Sequence, residues 1–197
     1  MPLYPTSGTR LVNLNVTQNA LGLATPANHG LIAWTYEPAA CVSSSLLTNG
    51  TVYLSAVFVN KAASVTKIYW HVGAAGNTPI SNQNKVGLYN SSGTLLQSTV
   101  VDSDVSSTGL KTTTITSQAV TVGAFYWVGF VFNASTAPTL ARAGGLTGAG
   151  DLSSVGLSAA ALRFATNGTS QTTLPSSVTP GSNSGTTFAG PWAAIAA

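Results

Sequence analysis

Apolar residues in this chain come in strand-length runs, broken at near-regular intervals by Gly, Pro, Asn, Ser and Thr. That spacing favours an antiparallel β fold over every helical alternative. The clearest case is the stretch from Asn84 to Val100, where apolar and polar residues alternate on both sides of Asn90-Ser91-Ser92-Gly93. Those four small, φ-permissive residues suit a short reversal, so the stretch reads as a β-hairpin, expected in the middle of a sheet.

The same vocabulary runs along the rest of the chain. Leu31 to Tyr36 predicts a short aromatic strand ended by Pro38, which has no N–H for a ladder. Asn49-Gly50 predicts a turn into a central strand over Thr51 to Val59. From Val65 to Val72 the alternation places Ile68, Trp70 and Val72 on a core face and Lys67, Tyr69 and His71 on the other. Gly73 to Gln83 and Asp102 to Thr108 read as loops, and Lys111 to Thr116 as a Thr-rich strand. Gly123 separates Ala119–Val122 from Phe125–Phe132, the most hydrophobic strand and the expected centre of a two-layer core whose faces both need cover. Thr139 to Arg142 and Trp192 to Ile195 add short strands, and Leu152 to Leu162 could form a helical turn, weakened by Gly156. No repeat of 20 to 50 residues and no heptad is present, which argues against a fibre shaft. The expectation is an all-β, jelly-roll-like antiparallel β-sandwich over residues 31–197, preceded by an extended N-terminal arm over residues 1–30 that carries several Pro and Gly.

Composition narrows the function classes. Only 6 % of the 197 residues are charged, against about 25 % in an ordinary soluble domain, so the surface must be rich in hydroxyls and amides. The seven basic residues are spread singly from Arg10 to Arg163, without the cluster that nucleic-acid binding needs. The densest apolar run, Ala124 to Phe132, is far short of a bilayer span. Residues Met1 to Ala20 lack the basic and apolar regions of a secretion signal, so the chain is expected to be made in the cytosol. Cys41 is the single cysteine, which excludes an intrachain disulfide, and it reads as a small buried apolar residue.

Few groups could do chemistry. The four carboxylates are Glu37, Asp102, Asp104 and Asp151; the close pair Asp102 and Asp104 reads as loop solvation, with a surface Ca²⁺ site as the alternative. His29 and His71 are too far apart in sequence for a ligand motif and read as surface or pocket-edge residues. The glycine-rich loop from Gly144 to Gly150 lacks the Lys-Ser/Thr ending of a phosphate loop, and Gly181-Ser182-Asn183-Ser184-Gly185 has Asn where a nucleophile elbow has Ser. No catalytic residue, cofactor or metal ligand is therefore assigned. Five N-x-S/T triplets, at Asn15, Asn49, Asn90, Asn133 and Asn167, are what a chain rich in these residues carries by chance. Trp34, Tyr69, Tyr89 and Tyr126 are the candidates for stacking on sugar rings, provided their faces are open.

The order Gly87-Leu88-Tyr89, Ser92-Gly93-Thr94-Leu95, Thr108-Gly109-Leu110-Lys111, Phe125-Tyr126-Trp127-Val128, Arg163-Phe164-Ala165, Leu174-Pro175, Thr179-Pro180, Ser182-Asn183-Ser184 and Trp192-Ala193-Ala194 resembles a β-rich family of virion proteins from tailed phages of actinobacteria. Members are described as minor tail or head-decoration proteins. The resemblance spans about residues 31–197 and carries no catalytic residue. It implies a non-enzymatic structural protein of the virion, foremost a capsid decoration or head-surface protein in contact with the major capsid protein or tail proteins and itself a homo-oligomer, for instance a trimer. The alternative it leaves open is a minor tail or tail-tip protein whose sandwich binds a host surface glycan.

Overall fold

The computed structural model describes residues 24–143, 152–186 and 190–197. Among these residues fourteen strands follow one another: β1 Ala33–Trp34, β2 Cys41–Leu46, β3 Tyr53–Phe58, β4 Ala63–Ala74, β5 Asn77–Pro79, β6 Lys85–Asn90, β7 Leu95–Val100, β8 Gly109–Val120, β9 Phe125–Val131, β10 Ala134–Thr136, β11 Thr139–Ala143, β12 Phe164–Thr166, β13 Ser184–Gly185 and β14 Ala193–Ala196. Helical structure among the described residues is limited to 3-10 turns of three or four residues. Two of these, Leu152–Ser154 and Ala159–Ala161, stand where one helical turn was expected, with Gly156 at φ 76° between them.

Twelve of the strands form two antiparallel sheets packed as a sandwich, and β5 and β10 pair with each other as a separate two-stranded sheet. In the first, β1, β14, β4, β11 and β2 follow in order, with β8 along the opposite edge of β4; in the second the order is β13, β12, β3, β9, β6, β7. This order defines an antiparallel sandwich and does not by itself establish the jelly-roll winding expected above. Strand β4 shows why the sequence folds this way. Its alternation sends Ile68, Trp70 and Val72 inward, all fully buried, against Val57, Leu88, Val128 and Phe130 of the second sheet. Trp70 stacks on Phe132 with ring centroids 5.7 Å apart, and its Nε1 donates to Thr113 Oγ1 at 2.8 Å, so a large ring is buried with no orphaned N–H. Each large apolar side chain so buried contributes about 1.5–3 kcal/mol.

Strand β9 lies between β3 and β6, and the cover its two faces require comes from different sources. Tyr126, Val128 and Phe130 face the inter-sheet core, while Trp127 and Val131 face outward into a second apolar cluster with Leu54, Tyr89, Leu174 and Val178. The segment after β12 that carries Leu174 and Val178 is therefore a third layer. It is held by Leu95 N–H donating to Ser176 O at 2.9 Å, Val178 N–H to Gly93 O at 2.8 Å and Tyr89 OH to Pro175 O at 2.8 Å.

Several expectations need correction. The hairpin β6–β7 turns at Gly93, φ 84°, as the sequence suggests, but β7 is the edge of its sheet and not the middle. Its side chains are half-buried and reach across to β8, Gln97 Nε2 donating to Thr116 Oγ1 at 3.1 Å and Thr99 Oγ1 to Thr114 O at 2.8 Å. The aromatic strand at Leu31–Tyr36 shrinks to Ala33–Trp34, because Tyr36 and Glu37 lead into a 3-10 turn at Pro38–Ala40. Strand β2 was not anticipated at all, and the stretches at Lys111 to Thr116 and Ala119 to Val122 join in one strand, since β8 runs through to Val120. Residues 1–23 of the expected arm, the loop at Gly144 to Gly150 and Asp151 lie outside the described residues. The described end of the arm is a 3-10 turn at Pro26–His29, after which Ile32 N–H donates to Ile195 O at 2.8 Å.

Candidate functional site

The outer face of the first sheet carries a trough of about 830 Å³, lined chiefly by carbon. Its floor is built by alternation: Tyr69, His71 and Gly73 of β4 point away from the core, and all three line it. Gly73 is required there by close packing, because a Cβ at that position would lie 2.4 Å from Ser44 Cβ on β2. Leu110 of β8 projects beside them with 61 % of its surface exposed.

Segments distant in sequence supply the walls. The 3-10 turn at Pro26–His29 is closed by Thr25 and Asn28, whose Oδ1 accepts from Thr25 N–H at 2.9 Å and from Thr25 Oγ1 at 2.6 Å. It presents His29, which meets Trp34 edge to face at 5.3 Å. Pro38 begins the second turn, where Glu37 Oε1 accepts from Ala39 N–H at 3.3 Å. Trp192 donates from Nε1 to Tyr36 O at 3.1 Å, which satisfies its polar end and leaves its ring as wall. Cys41 is half-exposed at the trough, which corrects the expectation of a buried apolar residue; its Sγ donates to Tyr36 OH at 3.9 Å. Burial pushes the Cys41 thiol upward, and burial first, then the neighbouring thiol, pushes the Tyr36 phenol well above its usual range.

The trough gathers His29, Cys41, Tyr69 and His71, which sequence spacing alone keeps apart. Among the described residues no carboxylate, lysine or arginine lines it. His71 Nδ1 is enclosed without a hydrogen-bond partner. Among the described residues no group of three or more His, Cys, Asp or Glu is placed to hold a metal ion. The arrangement suits a neutral occupant with apolar surface and a few hydrogen-bonding groups.

The four candidate stacking aromatics divide. Tyr69 lines the trough, and Trp34 is half-buried behind His29. Tyr89 has no exposed surface and Tyr126 only 7 %, so neither can offer a ring face to a sugar. Tyr126 OH instead accepts from Thr121 N–H at 3.1 Å.

Asp102 lies in a loop and is half-exposed, as expected, and it also carries structural bonds. Its Oδ2 accepts from Asn82 N–H at 2.7 Å and its Oδ1 from Asn84 Nδ2 at 2.9 Å, which ties the loop after β7 to the loop before β6. The N-x-S/T asparagines have structural work as well. Asn49 Nδ2 donates to Ala134 O at 2.6 Å, Asn133 Nδ2 to Gln171 O at 2.9 Å and Asn167 Nδ2 to Thr179 O at 2.9 Å. Asn90 Oδ1 accepts from the Ser92 and Thr94 N–H groups at 3.0 and 2.9 Å, closing the hairpin turn. Asn15 lies outside the described residues.

No known family model matches this chain, and no curated protein matches it either.

Proposed function

We propose that this chain is a non-enzymatic structural protein of a phage virion, foremost a capsid decoration or head-surface protein that works through protein–protein contacts. The observation that carries the reading is the uncharged trough on the outer face of the first sheet, flanked by exposed Leu110. A neutral, partly apolar concavity on a surface with so few charges favours a neighbouring protein over an ionic substrate or a nucleic acid. The resemblance of residues 31–197 to virion proteins supports the same assignment, and with it a place on the particle. The committed oxygens of Asp102 support a non-catalytic role, since a carboxylate already accepting two hydrogen bonds is poorly placed for proton transfer.

The test is addition of purified protein to heads that lack it, followed by co-sedimentation. Saturable binding is expected, and Leu110→Asp combined with Tyr69→Ala should abolish it while leaving the melting temperature within a few degrees. Failure to bind heads together with labelling of tail tips would contradict the assignment.

Tyr69 favours a second reading, a tail-tip protein that binds a host surface glycan, because its ring lines the trough beside His71. Glycan-array signal lost in Tyr69→Ala would support it, and a blank array would remove it.

A further inference from the structure

Strand β2 is the long sheet edge that nothing among the described residues covers. The end strands β1 and β13 have two residues each, too few to template a partner. Strands β7 and β8 shield one another through Gln97 and Thr99, and β8 also carries Lys111. Strand β2, Cys-Val-Ser-Ser-Ser-Leu, has six residues with no charge and no proline, the devices by which edges are ordinarily kept from pairing.

The hydrogen-bond phase of this edge can be read from its neighbours. Ala141 is the register partner of Ser44, yet its carbonyl accepts from Trp192 N–H at 2.8 Å and so points away from β2. Ser44 and Ala141 are thus a non-hydrogen-bonded pair, and the N–H and C=O of Ser44 point to the open edge. Leu47 N–H donates to Pro138 O at 3.4 Å, which fixes the same phase from the other end. By the two-residue period, Leu46 also turns its N–H and C=O outward, and its side chain is 61 % exposed.

We propose that a second copy of this chain pairs with β2, antiparallel, about a two-fold axis at Ser45. Ser44 of one copy then lies opposite Leu46 of the other, and four main-chain hydrogen bonds join the two first sheets into one. The occupant is a second copy because the edge is its own complement: the two outward-facing residues flank Ser45 symmetrically, and like strands without charge meet without repulsion. The contact brings Leu46 of each copy against its neighbour. It goes beyond the virion assignment and does not depend on it; a two-fold contact builds pairs, so a trimer would need a different surface.

Cross-linking tests the register. In a Cys41→Ser background, which removes the sole cysteine, Ser45→Cys places one thiol on each side of the axis. Non-hydrogen-bonded antiparallel pairs have Cα atoms about 4.5 Å apart, within the range of about 4.4–6.8 Å that a disulfide spans. Mild oxidation should give a covalent dimer in high yield, while Thr112→Cys in the same background gives little. Light scattering of the unmodified 197-residue chain should show twice the 19.9 kDa protomer mass. Ser44→Pro costs no main-chain bond to β11 and only the hydrogen bond that Ser44 Oγ accepts from Thr139 Oγ1 at 3.0 Å. It and Leu46→Lys, at an exposed position, should each weaken the dimer about tenfold or more, and Ser44→Ala, which loses the same side-chain bond but keeps the N–H, should leave the dimer intact. A monomer at every concentration, a dimer indifferent to Ser44→Pro and Leu46→Lys, or a dimer that Ser45→Cys cannot lock would overturn the proposal.

Discussion

Asn84, with no exposed surface, donates from Nδ2 to Asp102 Oδ1 at 2.9 Å, and this one contact locks the loops at both ends of the β6–β7 hairpin. The same amide also donates to Ile80 O at 3.0 Å, and its Oδ1 accepts from Asn133 N–H at 2.9 Å. Every polar atom of a buried side chain is thereby paired, the condition under which such a group stabilises a fold.

Removing the carboxylate should strand Asn82 N–H and half-strand Asn84. Asp102→Ala is expected to cost about 1–3 kcal/mol in urea unfolding, and Asn84→Ala more, since three partners lose their bond at once. Calcium should leave the melting temperature of the unmodified protein unchanged, because among the described residues no group of three or more His, Cys, Asp or Glu is gathered around Asp102 to complete an oxygen cage. A calcium-induced rise of several degrees would show that the carboxylate is a ligand and not a clamp.

Gly87 and Gly129 are register partners on β6 and β9, and neither is there for a turn. A Cβ on Gly129 would lie 2.6 Å from Tyr89 Cε2, and one on Gly87 2.6 Å from Gln97 O of β7 and 2.9 Å from Leu174 Cδ1. The pair forms the slot into which the third layer packs. Each Gly→Ala change should destabilise by about 1–3 kcal/mol through overpacking. Shortening the ring should relieve Gly129→Ala, so a double-mutant cycle with Tyr89→Leu is expected to show coupling above about 0.5 kcal/mol. Additivity would mean that the slot is looser than its geometry.

Alkaline pH should unfold the protein early. Burial raises the phenols of Tyr36 and Tyr89 above the usual value, so above about pH 10 the native state holds protons that the unfolded chain releases. The native state then binds more protons than the unfolded one, and stability falls as pH rises. It is fully present below the usual tyrosine value and is lost by up to about 1.4 kcal/mol per pH unit for each group above it. Cys41, raised by burial but half-exposed, adds a smaller loss starting nearer its own usual value. Melting temperatures from pH 8 to 11 should drop along this course, and Tyr89→Phe should flatten it. An identical drop in Tyr89→Phe and Tyr36→Phe would locate the effect elsewhere.

How much of this was legible in the sequence depended on period and distance. Strands β4 and β9 were readable because clean alternation in one, and an unbroken apolar run in the other, state which faces are buried. Strand β2 was not, since Cys-Val-Ser-Ser-Ser-Leu lacks both signals, and an edge strand with one partner needs neither. The position of β7 could not be inferred from its own residues, because alternation reports a buried face and not the number of neighbours. The trough was half-readable. Tyr69 and His71 follow from the alternation of β4, but His29, Pro38 and Trp192 arrive from segments up to 163 positions apart, through contacts such as Trp192 Nε1 to Tyr36 O. Buried tyrosines such as Tyr89 look the same in sequence as open ones, because burial there comes from Leu174 and Val178, more than eighty residues downstream.

The central claim is that this chain acts by seating itself against neighbours on a particle, with the outer face of its first sheet as a contact surface. A residue-resolution reconstruction of the intact virion tests that most directly. The account predicts copies on the head surface with Tyr69 and Leu110 covered by another virion protein. Copies confined to the tail tip, or head-bound copies with that face open to solvent, would contradict it.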